Sequence, residues 1–182
     1  FKPIGNIMVW EMPSFSIEPA DIDTMIGKVR SSPNLILDLR GNGGGLVKTL
    51  ERLTGWFFDR DIKIADLKGR KKMDPMEAKS MGQSVYKGNL IVLLDSQSAS
   101  AAEIFARVVQ LEQRGVVLGD VSAGAVMQSV RKPLSMGGND EILYGVSVTN
   151  ADVIMSDGKS LEHVGVIPNQ IVLTTPSDLA AD

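Results

Sequence analysis

An apolar run, Asn89–Leu94, stops abruptly in the small polar residues Asp95-Ser96-Gln97-Ser98-Ala99-Ser100, and an apolar pattern with helical spacing starts at once at Ala101. A strand that turns this sharply into a helix constrains the chain more than any other segment. It exposes the turn residue at the end of the strand and aims the unpaired N–H groups of the first helical turn at whatever lies there. A serine in such a turn is placed to act as a nucleophile. The same residues also have a purely structural use. Ser100-x-x-Glu103 spells a capping box, in which the serine oxygen accepts from a backbone N–H of the helix start. Ser96 and Ser98 offer the same two roles, cap or nucleophile.

A second unit of this kind lies upstream. Leu35-Ile36-Leu37-Asp38-Leu39 is a short apolar run, Gly41-Asn42-Gly43-Gly44-Gly45 breaks it, and helical spacing resumes at Leu46. Glycines permit close backbone approach, and the N–H groups of such a loop can cradle an anion or a developing oxyanion. A dinucleotide loop does not fit, because the third glycine of G-x-G-x-x-G falls on Leu46; a phosphate loop fails for want of Gly-Lys-Ser/Thr. Taken alone the loop is a tight turn. In a parallel sheet, however, both turns lie at the carboxyl ends of strands, where sites form. Asp38 and Arg40 flank the loop and read as a buried ion pair or loop anchor.

The remaining pattern predicts strands over 4–10, 62–67, 116–119, 129–134, 142–149, 151–155, 164–168 and 170–173, and helices over 17–30, 46–58 and 99–113. Met73–Gln83 reads as a surface excursion, Met136–Asp140 as a turn and Ser177–Asp182 as a tail. Strand–helix alternation with short loops argues for an α/β domain with parallel strands and a β-rich C-terminal third. The 182 residues are expected to form one domain. Phe1 is not a natural initiator, so a processed form or an excised fragment is expected.

Composition narrows the chemistry. Net charge is −3 with no dense basic block, which does not point to nucleic-acid binding. Lys68, Arg70, Lys71 and Lys72 form a short cluster beside Gly69 and Pro75 that reads as a solvated loop. The absence of cysteine removes disulfides, thiolate metal sites and a cysteine nucleophile. One histidine and scattered carboxylates give no metal-ligand spacing, so neither a metal nor another cofactor is expected. No apolar run approaches the ~18 residues of a membrane span.

Four segments, in order, carry a family resemblance. They are Leu37-Asp38-Leu39-Arg40-Gly41-Asn42-Gly43-Gly44-Gly45, then Ser98-Ala99-Ser100-Ala101-Ala102-Glu103-Ile104-Phe105, then Gly119-Asp120-Val121-Ser122-Ala123-Gly124, and finally Glu162-His163-Val164-Gly165-Val166-Ile167-Pro168-Asn169. Together they resemble the core of the C-terminal processing (tail-specific) and tricorn core serine peptidases. The resemblance implies a ClpP/crotonase-like spiral α/β core and a serine endopeptidase acting on peptides or unfolded proteins. It implies Ser100 as nucleophile and an oxyanion hole from the N–H of Ala101 with Gly43 or Gly44. A periplasmic or extracytoplasmic location is implied for most of the family, a cytosolic one for tricorn relatives, and homo-oligomerisation stays open. The PDZ-like domain usual in the family has no room in these residues.

One position departs from the pattern. The lysine that serves tail-specific peptidases as base is replaced by Ala125, and Lys132, seven residues on, reads as a surface charge. The tricorn-like branch instead uses a histidine from an N-terminal segment together with a glutamate, and Glu162 matches that glutamate. The base is then expected upstream of Phe1. Other readings are His163 as base, a deliberate lysine-to-alanine change, and a pseudo-peptidase that binds peptides without cleaving them. Strands near Ile142–Thr149 could pair with such a peptide. Acyl-CoA chemistry on a crotonase-like core lacks its carboxylate pair.

Overall fold

The structure is a computed structural model that describes residues 1–137, 142–173 and 175. Among the described residues, ten strands and three α-helices run in the order β1 (Lys2–Ile4), β2 (Ile7–Glu11), α1 (Pro19–Val29), β3 (Asn34–Asp38), α2 (Val47–Gly55), β4 (Ile62–Gly69), β5 (Met76–Ala78), β6 (Asn89–Leu94), α3 (Ala101–Leu111), β7 (Val116–Gly119), β8 (Gln128–Met136), β9 (Ile142–Met155) and β10 (Gln170–Ile171). They make a six-stranded sheet, ordered β1-β2-β3-β6-β7-β10, and a four-stranded antiparallel sheet, ordered β5-β4-β9-β8. In the larger sheet only the β1–β2 pair is antiparallel. The α/β core with parallel strands and the β-rich C-terminal third are therefore as the sequence pattern predicts.

Local chemistry explains the helices. Pro19 opens α1 behind a Glu18–Asp21 capping box, and Ile22, Ile26 and Val29 bury one stripe of it. Asp23 ties that helix to α2: Arg52 Nε donates to Oδ1 at 2.7 Å, Arg52 Nη2 to Oδ2 at 2.7 Å, and Trp56 Nε1 to Oδ1 at 2.7 Å. The hydrogen bonds from Arg52 hold the Asp23 carboxyl below its ordinary pKa. In β3 and β6, Leu35, Leu37, Leu90, Val92 and Leu94 are buried, and Ile36, Ile91 and Leu93 between them are half-buried. Phe57 and Phe105 meet edge to face at 5.5 Å beneath them.

Several boundaries differ from the sequence pattern. The first expected strand is a hairpin, because Gly5 adopts φ 59° and reverses the chain. Met73–Gln83 is not a mere surface excursion: Met76 and Ala78 are buried in β5. The two strands expected over 142–155 are one, β9, with a register shift against β8 near its base. Val164–Pro168 forms no strand, since its turn is held by Val164 and Gly165 N–H donating to Leu161 O. Most of the Met136–Asp140 turn and the Ser177–Asp182 tail lie outside the described residues. Among the described residues no helix is long and apolar enough to cross a membrane.

Candidate active site

Parallel registers bring the two strand–turn–helix units side by side. Asp38 sits opposite Leu93, so the glycine loop after β3 and the serine turn after β6 leave the same sheet edge. Ser100 is the N-cap of α3 at φ 56°, ψ −118°. A non-glycine residue at positive φ costs about 1–3 kcal/mol and persists only where its surroundings enforce it. Here they do. Ala99 N–H donates to Asn42 O at 2.9 Å, and Ser100 N–H donates to Glu103 Oε2 at 2.8 Å. Gly44, at φ 89°, packs so tightly that a Cβ there would lie 2.6 Å from Ser100 Cβ and 3.0 Å from Ala101 N. Glycine is required at that position on both counts.

Buried Asn42 organises the loop. Its Nδ2 donates to Met12 O at 2.6 Å, and its Oδ1 accepts from Gly44 N–H at 2.9 Å. The Gly44 N–H is thereby committed, whereas Gly43 N–H makes no hydrogen bond among the described residues. Ala101 heads α3, and its N–H has no intrahelical acceptor. Asp95 Oδ1 accepts from Gly41 N–H at 2.9 Å and Gln97 N–H at 3.0 Å, locking the two turns together. Ser98 is fully buried with its Oγ 2.8 Å from Leu39 O, so it is a brace and not an exposed hydroxyl. Ser96 is exposed at the outside of the turn. Asp38 and Arg40 form a fork-to-fork ion pair, Nε to Oδ1 at 2.9 Å and Nη2 to Oδ2 at 2.6 Å, and the hydrogen bond to Asp38 raises the Arg40 pKa.

The capping box is present, and sequence reasoning saw only half of what Glu103 does. This carboxylate is completely buried. Besides Ser100 N–H it accepts Ser122 Oγ–H at 2.6 Å, Gly124 N–H at 2.7 Å and Ala125 N–H at 3.0 Å. It therefore clamps the 122–125 loop against the helix start. Its partners lie 19 to 22 residues away, beyond any local signal.

Glu162 holds the next stretch of that loop. Its Oε2 accepts from Val126 N–H at 2.7 Å and Met127 N–H at 3.1 Å. His163 turns outward at φ 61°; its side chain is 90% exposed, with Nε2 3.8 Å from Glu162 Oε1. Ala125 is exposed and Lys132 sits on the exposed part of β8. A cavity of about 90 Å³ opens at Ser100, walled by Val47, Leu50, Met76, Ile104, Val126 and Val153. Its lining holds no lysine or histidine. Such a volume matches about three waters or one modest apolar side chain.

The model of Peptidase family S41 matches residues 4–172. The tail-specific protease of Haemophilus influenzae is 33% identical over 129 residues, covering 68% of this chain and 18% of that protein. The carboxy-terminal-processing protease of Bartonella bacilliformis is 32% identical over 139 residues, covering 75% of this chain and 30% of that protein. The chain thus spans less than a third of either relative. Among solved structures, the photosystem II D1 C-terminal processing protease superposes with a TM-score of 0.72 at 22% identity, over 98% of this chain and 47% of that one.

Proposed function

The chain belongs to Peptidase family S41, and from that premise we propose that it is the core of a serine endopeptidase acting through a Ser100 acyl-enzyme. The observation that carries the reading is Ser100 held at positive φ on a helix start, with Gly44 pressed against it and a cavity of mixed apolar and polar lining alongside. Ser100 Oγ attacks a peptide carbonyl carbon, the tetrahedral oxyanion lies on Ala101 and Gly43 N–H, the amine leaves protonated, and water releases the acyl group. Gly44 serves by its close approach, since its N–H is spent on Asn42. The cavity takes a small side chain of the residue whose carbonyl is attacked, with apolar contacts from Leu50, Ile104 and Val153 and polar ones from Gln128 and Ser129.

Glu162 is a positioning residue in this reading. It shapes the Val126–Met127 wall and does not touch the reacting atoms. The general base is a histidine from outside residues 1–182, as in the tricorn-like pattern, because Ala125 stands at the lysine position. Substrates are peptides or unfolded proteins, and an extracytoplasmic location with a homo-oligomeric assembly accompanies the reading. Loss of a base alone removes several orders of magnitude in rate while the oxyanion hole retains some.

Labelling with a fluorophosphonate probe tests this directly, on residues 1–182, on a longer form carrying the upstream segment, and on Ser100→Ala. Strong labelling of the longer form at Ser100, with weak labelling of the core, is expected. Equal labelling of the core would return the base to residues within it. A longer form that never labels would leave a peptide-binding pseudo-peptidase, a reading favoured by the lack of a base among the residues lining the cavity.

A further inference from the structure

We propose that the cleft between the turn after β4 and the outer edge of β9 docks an extended acidic peptide segment, which adds to β9 as a strand. β4 pairs with β9 only from Ala65↔Met155 to Gly69↔Ala151. From Ile142 to Asn150, β9 has β8 on one side and, among the described residues, no strand on the other. Unpaired strand edges present rows of N–H and C=O groups and accept extended peptides.

The chain leaves that edge after Gly69. Its backbone approaches so closely that a Cβ would lie 2.7 Å from Asn150 O. It then doubles back, with Lys68 bridging Lys72. This fold-back gathers Lys68, Arg70, Lys71 and Lys72, all exposed, none paired with a carboxylate among the described residues. An open cleft of about 600 Å³ separates Arg70, Lys71 and Lys72 from Val148 and Thr149. The basic cluster is solvent-exposed, as a solvated loop is expected to be. It stands beside a free strand edge, on a chain whose net charge is −3. Backbone pairing supplies the grip, and the four cations select glutamate- or aspartate-bearing segments over basic ones.

Nothing in this depends on catalysis, and the test is made in the Ser100→Ala background so that no probe is consumed. Fluorescence anisotropy would follow a labelled octapeptide alternating Glu and Val, its Lys–Val counterpart, and a Glu–Val version N-methylated at alternate peptide nitrogens. The acidic peptide is expected to bind, less tightly as salt rises, and the Lys–Val peptide not to bind. Charge reversal at Arg70→Glu, Lys71→Glu and Lys72→Glu is expected to weaken binding about tenfold, as is N-methylation. Lys71→Ala with Lys72→Ala gives a milder loss in the same direction and guards against misfolding of the reversal. Equal binding of both peptides, unchanged affinity in either variant, or full binding of the N-methylated peptide would overturn the proposal. So would an oligonucleotide of matched charge that competes as well as the peptide, or no binding of the acidic peptide at all.

Discussion

The parallel-sheet body and the β8–β9 hairpin use the same alternation of apolar residues and end up in opposite states. In the body, Trp10, Leu37, Val92 and Phe105 are at most 1% exposed. In the hairpin, directly paired residues put Val130 with Val148, Leu134 with Tyr144 and Met136 with Ile142 on one face, and all six are more than 40% exposed. Opposed residues of an antiparallel pair share a face, so this is an apolar strip interrupted by Lys132 opposite Val146. The body satisfies its own pattern; the hairpin does not. The Ser100 cavity lies at the seam, with Ile104 from the body and Gln128 and Ser129 from the hairpin base in its wall. The candidate site thus joins a deeply buried wall to the base of an exposed hairpin.

The comparison can be broken by unequal mutants. Phe105→Ala, at a fully buried ring, should destabilise the protein by about 4 kcal/mol, read from urea midpoints. A loss under 1 kcal/mol would mean the body is not the better-packed half. Glu103→Ala removes the acceptor of four hydrogen bonds and strands buried donors. It should cost about 3 kcal/mol. It should also slow probe labelling at Ser100 about 100-fold in the longer form, because the helix start loses its fixed position. Normal labelling would separate the clamp from the site. Ile142→Ser, at a strip residue 59% exposed, should change stability by no more than about 0.5 kcal/mol. A loss above 2 kcal/mol would show that the strip is covered in solution and that the two regions are alike.

Much of this was legible before any coordinates. β6 and β7 fall where the apolar runs predict, because buried parallel strands are short and end in abrupt polar breaks. Ser100 and the glycine loop stood out for the same reason. β9 was misjudged as two strands because Asn150 interrupts the alternation; a register shift against β8 at that point absorbs it without ending the strand. β5 went unseen because three residues are too few for periodicity to register, and only pairing with β4 makes them a strand.

The candidate site divides along the same line. Its residue types and turns were written locally: a capping box, a helix start and a glycine run each act within a few residues. Its contacts were not. Gly44 against Ser100, Glu103 against the 122–125 loop, Glu162 under Val126 and Met127, and the basic turn beside an open β9 edge all join segments far apart in the chain. By itself the sequence determined which turns exist and what chemistry each can offer, since short-range sterics and hydrogen bonding decide that. Only the tertiary structure decided which of those groups meet and which N–H groups are left free. Sheet register and loop packing set both, and they depend on the whole chain at once.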